Sequence, residues 1–84
     1  MKLAQYVKFR EERFGGVLFE TRSEKVFALN PTASAIVREI ARDGSDEPGL
    51  VARLTDLFRG SRATIETEVA AFVGDLRSRG LLED

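Results

Sequence analysis

The 84-residue sequence contains no cysteine, no histidine and no tryptophan. Without cysteine it forms no disulfide and carries out no thiol chemistry, and without cysteine or histidine it lacks the usual ligands of zinc and haem. The missing imidazole also excludes a serine–histidine–aspartate catalytic centre. We therefore expect a protein that is not an enzyme and that has no cofactor.

The sequence also lacks an excess of charge and long apolar runs. Its 13 Lys and Arg residues nearly balance 14 Asp and Glu residues, whereas nucleic acids and anionic membranes attract strongly basic surfaces. No stretch approaches the roughly 18 apolar residues of a transmembrane helix, and the first six residues lack the apolar core of a secretory signal. We expect one cytoplasmic domain over residues 1–84, since domains usually need about 50–250 residues.

The first thirty residues show the two-residue apolar period of half-buried strands. Glycines at positions 15 and 16 end the first turn, where they favour a positive φ or a bulge. If Val17 and Phe19 point into the core, Phe27 and Leu29 are their same-face partners across the second hairpin. The pattern predicts a three-stranded antiparallel meander with strands near residues 7–10, 17–19 and 26–29.

From residue 30 the apolar residues follow the period of a helix instead. Asn30 is a preferred N-cap and Pro31 suits the first helical position. The first helix is therefore predicted to run from there to about residue 42, with Asp43 and Gly44 at its end.

Two more helices are predicted in the second half of the chain. Ser45 or Asp46 caps the second helix, whose apolar stripe consists of Leu50, Leu54, Leu57 and Phe58. The third helix starts near Ala63 or Thr64 and stops at Gly80, and its apolar stripe consists of Ile65, Val69, Phe72, Val73 and Leu76. The resulting order, βββααα, predicts an α+β, winged-helix-like domain with a three-stranded antiparallel sheet followed by three helices.

Three segments resemble a known family when they are taken together. They are Phe14-Gly15-Gly16-Val17-Leu18-Phe19, Val26-Phe27-Ala28-Leu29-Asn30-Pro31-Thr32-Ala33-Ser34-Ala35-Ile36 and Phe72-Val73-Gly74-Asp75-Leu76-Arg77-Ser78-Arg79-Gly80-Leu81-Leu82. In order and spacing they resemble the PqqD family, the RiPP recognition elements that bind precursor peptides. The chain departs from the family pattern at Val37, where many members have an aromatic residue, and near Glu24, where many have glycine.

The resemblance implies a chaperone-like function. Family members bind the leader region of a ribosomally made precursor peptide and present it to a modifying enzyme, which is often a radical S-adenosylmethionine enzyme. The leader adds as an antiparallel strand to the third strand of the meander and lies in a groove beside the third helix. For this chain the implied partners are a leader peptide and such an enzyme, in natural product biosynthesis.

The residues expected at this groove come from the third strand and the third helix. An exposed strand edge binds a peptide through backbone groups, and apolar pockets beside it give selectivity. Arg77 would pair with acidic leader residues. The side chains of Phe27 and Leu29 are assigned to the core, and Val69 and Val73 are also more simply interpreted as core residues. The predicted peptide-binding set is Val26, Phe27, Ala28, Leu29, Val69, Ala70, Val73 and Arg77.

Two other functions fit the predicted fold. A winged helix can bind DNA through a helix in the major groove, although the acidic residues of the third helix argue against it. The chain would alternatively be a structural subunit that only stabilises a maturation enzyme. The exposed strand edge also suits a second copy of the chain, so both a monomer and a weak homodimer remain open.

Overall fold

The computed structural model describes residues 1–43 and 46–83. Gly44 and Ser45, which the sequence placed at a helix end and a helix cap, lie outside the described residues. The elements in chain order are β1 (Lys2–Leu3), β2 (Val7–Glu12), β3 (Gly15–Glu20), β4 (Lys25–Leu29), α1 (Pro31–Asp43), α2 (Glu47–Leu57), α3 (Arg62–Ser78) and β5 (Leu82–Glu83).

The main sheet is an antiparallel meander in the order β2-β3-β4. One face of this sheet packs on the helices, as the α+β prediction requires, so the predicted fold class is confirmed. The two-residue strands β1 and β5 form a second small antiparallel sheet that the sequence pattern did not predict. This pairing joins the two ends of the described chain, and it follows the buried Leu81 that returns to the core.

Val17 and Phe19 do not face the core, so the condition under which Phe27 and Leu29 would be their same-face partners is not met. The buried residue of β3 is Leu18, which lies opposite Phe27, while Val17 and Phe19 lie opposite Ala28 and Val26 on the outer face of the sheet. Neighbouring residues of a strand point to opposite faces, so burial of Leu18 turns both of its neighbours outward.

The first hairpin is tighter than predicted, because a two-residue connection, residues 13–14, joins Glu12 to Gly15. Gly15 has a φ of 141°, which agrees with the expected positive φ. The second hairpin contains Glu24 at a φ of 60°. A left-handed residue therefore stands at the position where the family pattern often has glycine.

Short polar side chains begin all three helices. The N–H of Ala33 donates to Oδ1 of Asn30 at 2.8 Å, as expected for the predicted cap. Asp46 caps α2 and Ser61 caps α3 in the same way. Because Ser61 is the cap, α3 starts slightly earlier than the predicted Ala63 or Thr64.

The core lies between the sheet and the three helices. Leu18, Ile40, Leu50 and Leu54 are among its fully buried side chains. The predicted stripe of α2 is only partly correct, because Leu57 and Phe58 at the helix end are exposed. Among the described residues, no helix is long and apolar enough to cross a membrane.

Candidate functional site

β4 is an edge strand whose neighbour in the sheet is β3. The hydrogen bonds between β2 and β3 determine which backbone groups of β4 face outward. Just beyond β3, the N–H of Thr21 donates to the carbonyl of Tyr6 at 2.9 Å, so the backbone groups of Thr21 point toward β2. Consecutive residues of an antiparallel strand direct these groups to opposite sides. Glu20, one residue earlier, therefore faces β4, where its partner is Lys25.

The same alternation continues along β4. Lys25, Phe27 and Leu29 direct their N–H and C=O groups toward β3, so Val26 and Ala28 direct theirs toward the free edge. The side chains of Val26 and Ala28 are exposed on the outer face of the sheet. An incoming strand thus finds, at Val26 and Ala28, donors and acceptors that pair with none of the described residues, and it need not disturb the pairing between β3 and β4.

Helix α3 supplies the second wall beside this edge. A stripe of residues on α3 and its C-cap lies at intervals of three and four, which places them on one side of the helix: Glu68, Phe72, Asp75 and the C-cap Arg79. Phe72 packs against the core, and the Arg79 guanidinium lies 5.2 Å from the centroid of the Phe27 ring. At the other end of the stripe, Glu68 and Phe72 line a depression together with Asn30. We call the space between β4 and this stripe the β4–α3 groove.

The predicted residues of β4 alternate between exposed and buried side chains. Val26 is 61% exposed, Ala28 is also exposed, Phe27 is half-buried and Leu29 is buried. This alternation agrees with a strand that packs one face on the core and keeps its backbone edge accessible. Phe27 is therefore the β4 side chain that both supports the core and borders the groove.

Two of the predicted helix residues are core residues. Val69 and Val73 are 1% and 0% exposed, in agreement with their simpler interpretation as core residues. Neither side chain is accessible to a bound peptide, and their contribution is to hold α3 in place.

Two other predicted helix residues are on the wrong side of α3. Ala70 lines a depression with Pro48 and Val51 of α2, and Nη1 of Arg77 lies 3.5 Å from Oε1 of Glu47. Ala70 and Arg77 are seven residues apart, or about two helical turns, so they share the side that faces α2. The structure therefore places them outside the β4–α3 groove, and their peptide-binding role stays a prediction.

The sequence pattern did not lead us to include Glu68 or Arg79 among the groove residues, and Phe72 was assigned to the core only. The signal was present in the spacing of the stripe, but the choice between two sides of α3 depends on where α2 packs. Arg79 is held in place by Asp75, whose Oδ2 lies 3.1 Å from its Nε, in addition to the contact with Phe27.

The surface of α3 is poorly suited to nucleic acid. The two arginines of α3 and the arginine at its C-cap each lie within 4 Å of a carboxylate, in the pairs Arg62–Glu66, Arg77–Glu47 and Arg79–Asp75. Binding to a phosphate backbone depends on cations that are available to replace counterions. Residues 1–43 and 46–83 also contain no cluster of three or more metal-ligating side chains.

Comparison with protein families identifies the relatives of the chain. Residues 15–82 match the family model described as coenzyme PQQ synthesis protein D (PqqD). The chain belongs to the PqqD family. The resemblance inferred from the three sequence segments is thereby confirmed, and the matched region includes both walls of the groove. No curated protein matches the sequence of this PqqD-family chain.

Solved structures share the fold of this PqqD-family chain along nearly its whole length. TbiB1 in complex with the TbiA(beta) leader peptide is 23% identical, with a TM-score of 0.85 over 99% of this chain and 95% of TbiB1. A lasso peptide synthetase B1 complexed with the leader peptide is 28% identical, with a TM-score of 0.82 over 99% and 96%. SuiB of Streptococcus suis is 17% identical, with a TM-score of 0.52 over 95% of this chain and 22% of SuiB.

Proposed function

We propose that the protein binds the leader region of a ribosomally made precursor peptide by strand addition to β4. The observation that carries this proposal is the β4 edge beside the β4–α3 groove, which pairs with no other strand in the described part of the chain. The fold is shared by two proteins whose structures contain leader peptides. Strand addition supplies affinity through backbone hydrogen bonds, and adjoining pockets supply selectivity.

The groove favours an extended peptide with apolar side chains on one face. The outward N–H and C=O groups of Val26 and Ala28 pair with the peptide backbone, each hydrogen bond contributing about 1 kcal/mol net. Peptide side chains on the helix face of the added strand then contact Phe27 and Phe72, which are both only partly buried. Binding in this way needs no reactive side chain of the protein.

The bound peptide is then presented to a separate modifying enzyme, for which the family resemblance implies a radical S-adenosylmethionine enzyme. The outer face of the sheet offers a contact surface for it that strand addition leaves open. Phe19 and Val26 are exposed there, and the outward side chains of β2, Lys8 and Arg10, border them. The protein itself acts as the binding partner, in the cytoplasm, and carries out no step of the modification.

A selection from a library of random displayed peptides tests the proposed binding. We expect enrichment of extended peptides with alternating apolar residues and no proline, because proline lacks the N–H that a strand ladder needs. A parallel selection with the Ala28→Pro variant, which loses one outward N–H, should enrich these peptides far less. Random duplex DNA at low salt should not be retained; retention of DNA together with failure to enrich peptides would favour the DNA-binding function.

A further inference from the structure

We infer that the β4–α3 groove selects leader peptides by the order of their charges, with a basic residue at the N-terminal end of the docked segment and an acidic residue at its C-terminal end. This inference rests on the proposed strand addition to β4. It is carried by opposite charges at the two ends of the groove and by the direction in which an added strand must run.

The end of the groove beside the end of β4 is acidic. Glu68 is exposed there and shares a depression with Asn30 and Phe72. It has no ion pair with any residue that the structure describes, whereas Glu66, on the α2 side of the same helix, is paired with Arg62. Glu68 is thus a carboxylate that remains available to a basic side chain of a bound peptide.

The end of the groove beside the start of β4 is basic. Lys25 is exposed, lies on the same face of β4 as Phe27, and has no ion pair among the described residues. Arg79 lies over the Phe27 ring and is oriented by Asp75. An acidic peptide side chain at this end therefore meets Lys25, which has no ion pair among the described residues, beside Arg79, whose charge is shared with Asp75.

The direction of the added strand determines which end of the peptide lies near each charged end of the groove. Every described strand pair of the protein is antiparallel, and antiparallel pairing is somewhat more stable per residue than parallel pairing. A strand antiparallel to β4 has its N-terminal end beside Leu29 and its C-terminal end beside Lys25. Its N-terminal part therefore lies near Glu68 and its C-terminal part near Lys25 and Arg79.

The length of β4 sets the spacing of the two charges. From Lys25 to Leu29 the strand rises about 13 Å, at about 3.3 Å per residue. Both charged side chains must lie on the helix face of the added strand, and side chains on one face alternate. The preferred peptide therefore has its basic and acidic residues an even number of positions apart, about four to six, with apolar side chains between them that face Phe27 and Phe72.

Comparing peptides selected by charge variants tests this inference. The probe is the random displayed library, selected on the wild type and on a double variant carrying Glu68→Lys and Lys25→Glu. We expect wild-type peptides with the basic residue first to outnumber those with the acidic residue first at least about fivefold, and the double variant to invert this preference. Glu66→Lys changes the same charge on the α2 side of the helix and should keep the wild-type order.

The possible outcomes separate the two proposals. Apolar peptides enriched without a charge order, or with the same order in the double variant, would overturn the charge selection while strand addition stands. Loss of enrichment in the Ala28→Pro variant would confirm that such peptides bind at β4. If the wild type enriches no peptide, strand addition fails and the charge selection fails with it.

Discussion

Replacing Val26 by proline is expected to weaken peptide binding about tenfold, a loss of one backbone hydrogen bond and of close strand contact. The N–H of Val26 points away from β3, so the substitution removes a donor from the free edge but no bond within the sheet. The fold should therefore persist, which circular dichroism verifies. Titration calorimetry with the most enriched peptide from the wild-type selection measures the change in affinity.

Val26→Thr is the matched control for this variant. Threonine keeps the N–H and the β-branched shape, and the Val26 side chain lies on the outer face of the sheet, away from the groove. We expect its affinity to stay within about twofold of the wild type, since exposed substitutions usually have small effects. Equal affinity of the proline variant and the wild type would rule out strand addition at β4.

Gly15→Ala is expected to lower the free energy of unfolding by about 3 kcal/mol. A Cβ atom at this position would lie 2.2 Å from the carbonyl oxygen of Leu29 and 2.6 Å from the carbonyl carbon of Asn30. Both contacts are with backbone atoms at the junction of β4 and α1, which cannot rotate away. The φ of 141° adds strain for any residue with a side chain.

Chemical denaturation and thermal unfolding measure this effect. For a domain of this size, a loss of about 3 kcal/mol corresponds to a fall in Tm of about 15 °C. Gly74→Ala is the control, because its Cβ would meet no atom within 4 Å and it lies in the interior of α3. That variant should be more stable by about 0.5–1 kcal/mol. A loss below about 1 kcal/mol for Gly15→Ala would contradict the contact with β4.

Helix starts were predictable because they depend on local chemistry. The Asn30 side chain caps α1 with a bond to a backbone N–H three residues later, and Asp46 does the same for α2. Such caps involve residues close in sequence, so the residue types alone predict them. The order of the three sheet strands and three helices followed from the change in apolar period, and the described chain has that order between the two short strands β1 and β5.

The face of β3 was not predictable from its own residues. Val17, Leu18 and Phe19 are all apolar, so the strand has no alternation that distinguishes an inner from an outer face. The inner face of β3 is determined by its register with β4, which places Leu18 opposite Phe27. The two-residue strands β1 and β5 were missed for a related reason, since they are too short to show a period.

The helix wall of the groove required tertiary information. Ala70 and Arg77 lie on one side of α3, and Phe72 and Arg79 lie on another, and the sequence offers both as candidates. Helix α2 lies beside the first side, as the contact between Glu47 and Arg77 shows. The strand wall was predicted correctly as an exposed edge, because it depends only on the order of strands in a meander.

Amide hydrogen exchange, measured with and without the most enriched peptide, tests strand addition to β4 most directly. The backbone groups of Val26 and Ala28 face the free edge, so the peptide should slow exchange of their N–H groups strongly. The N–H groups of Phe27 and Leu29 are already paired with β3 and should change little. Slowed exchange at the opposite edge of the sheet, in β2, with none at Val26 and Ala28, would contradict the account.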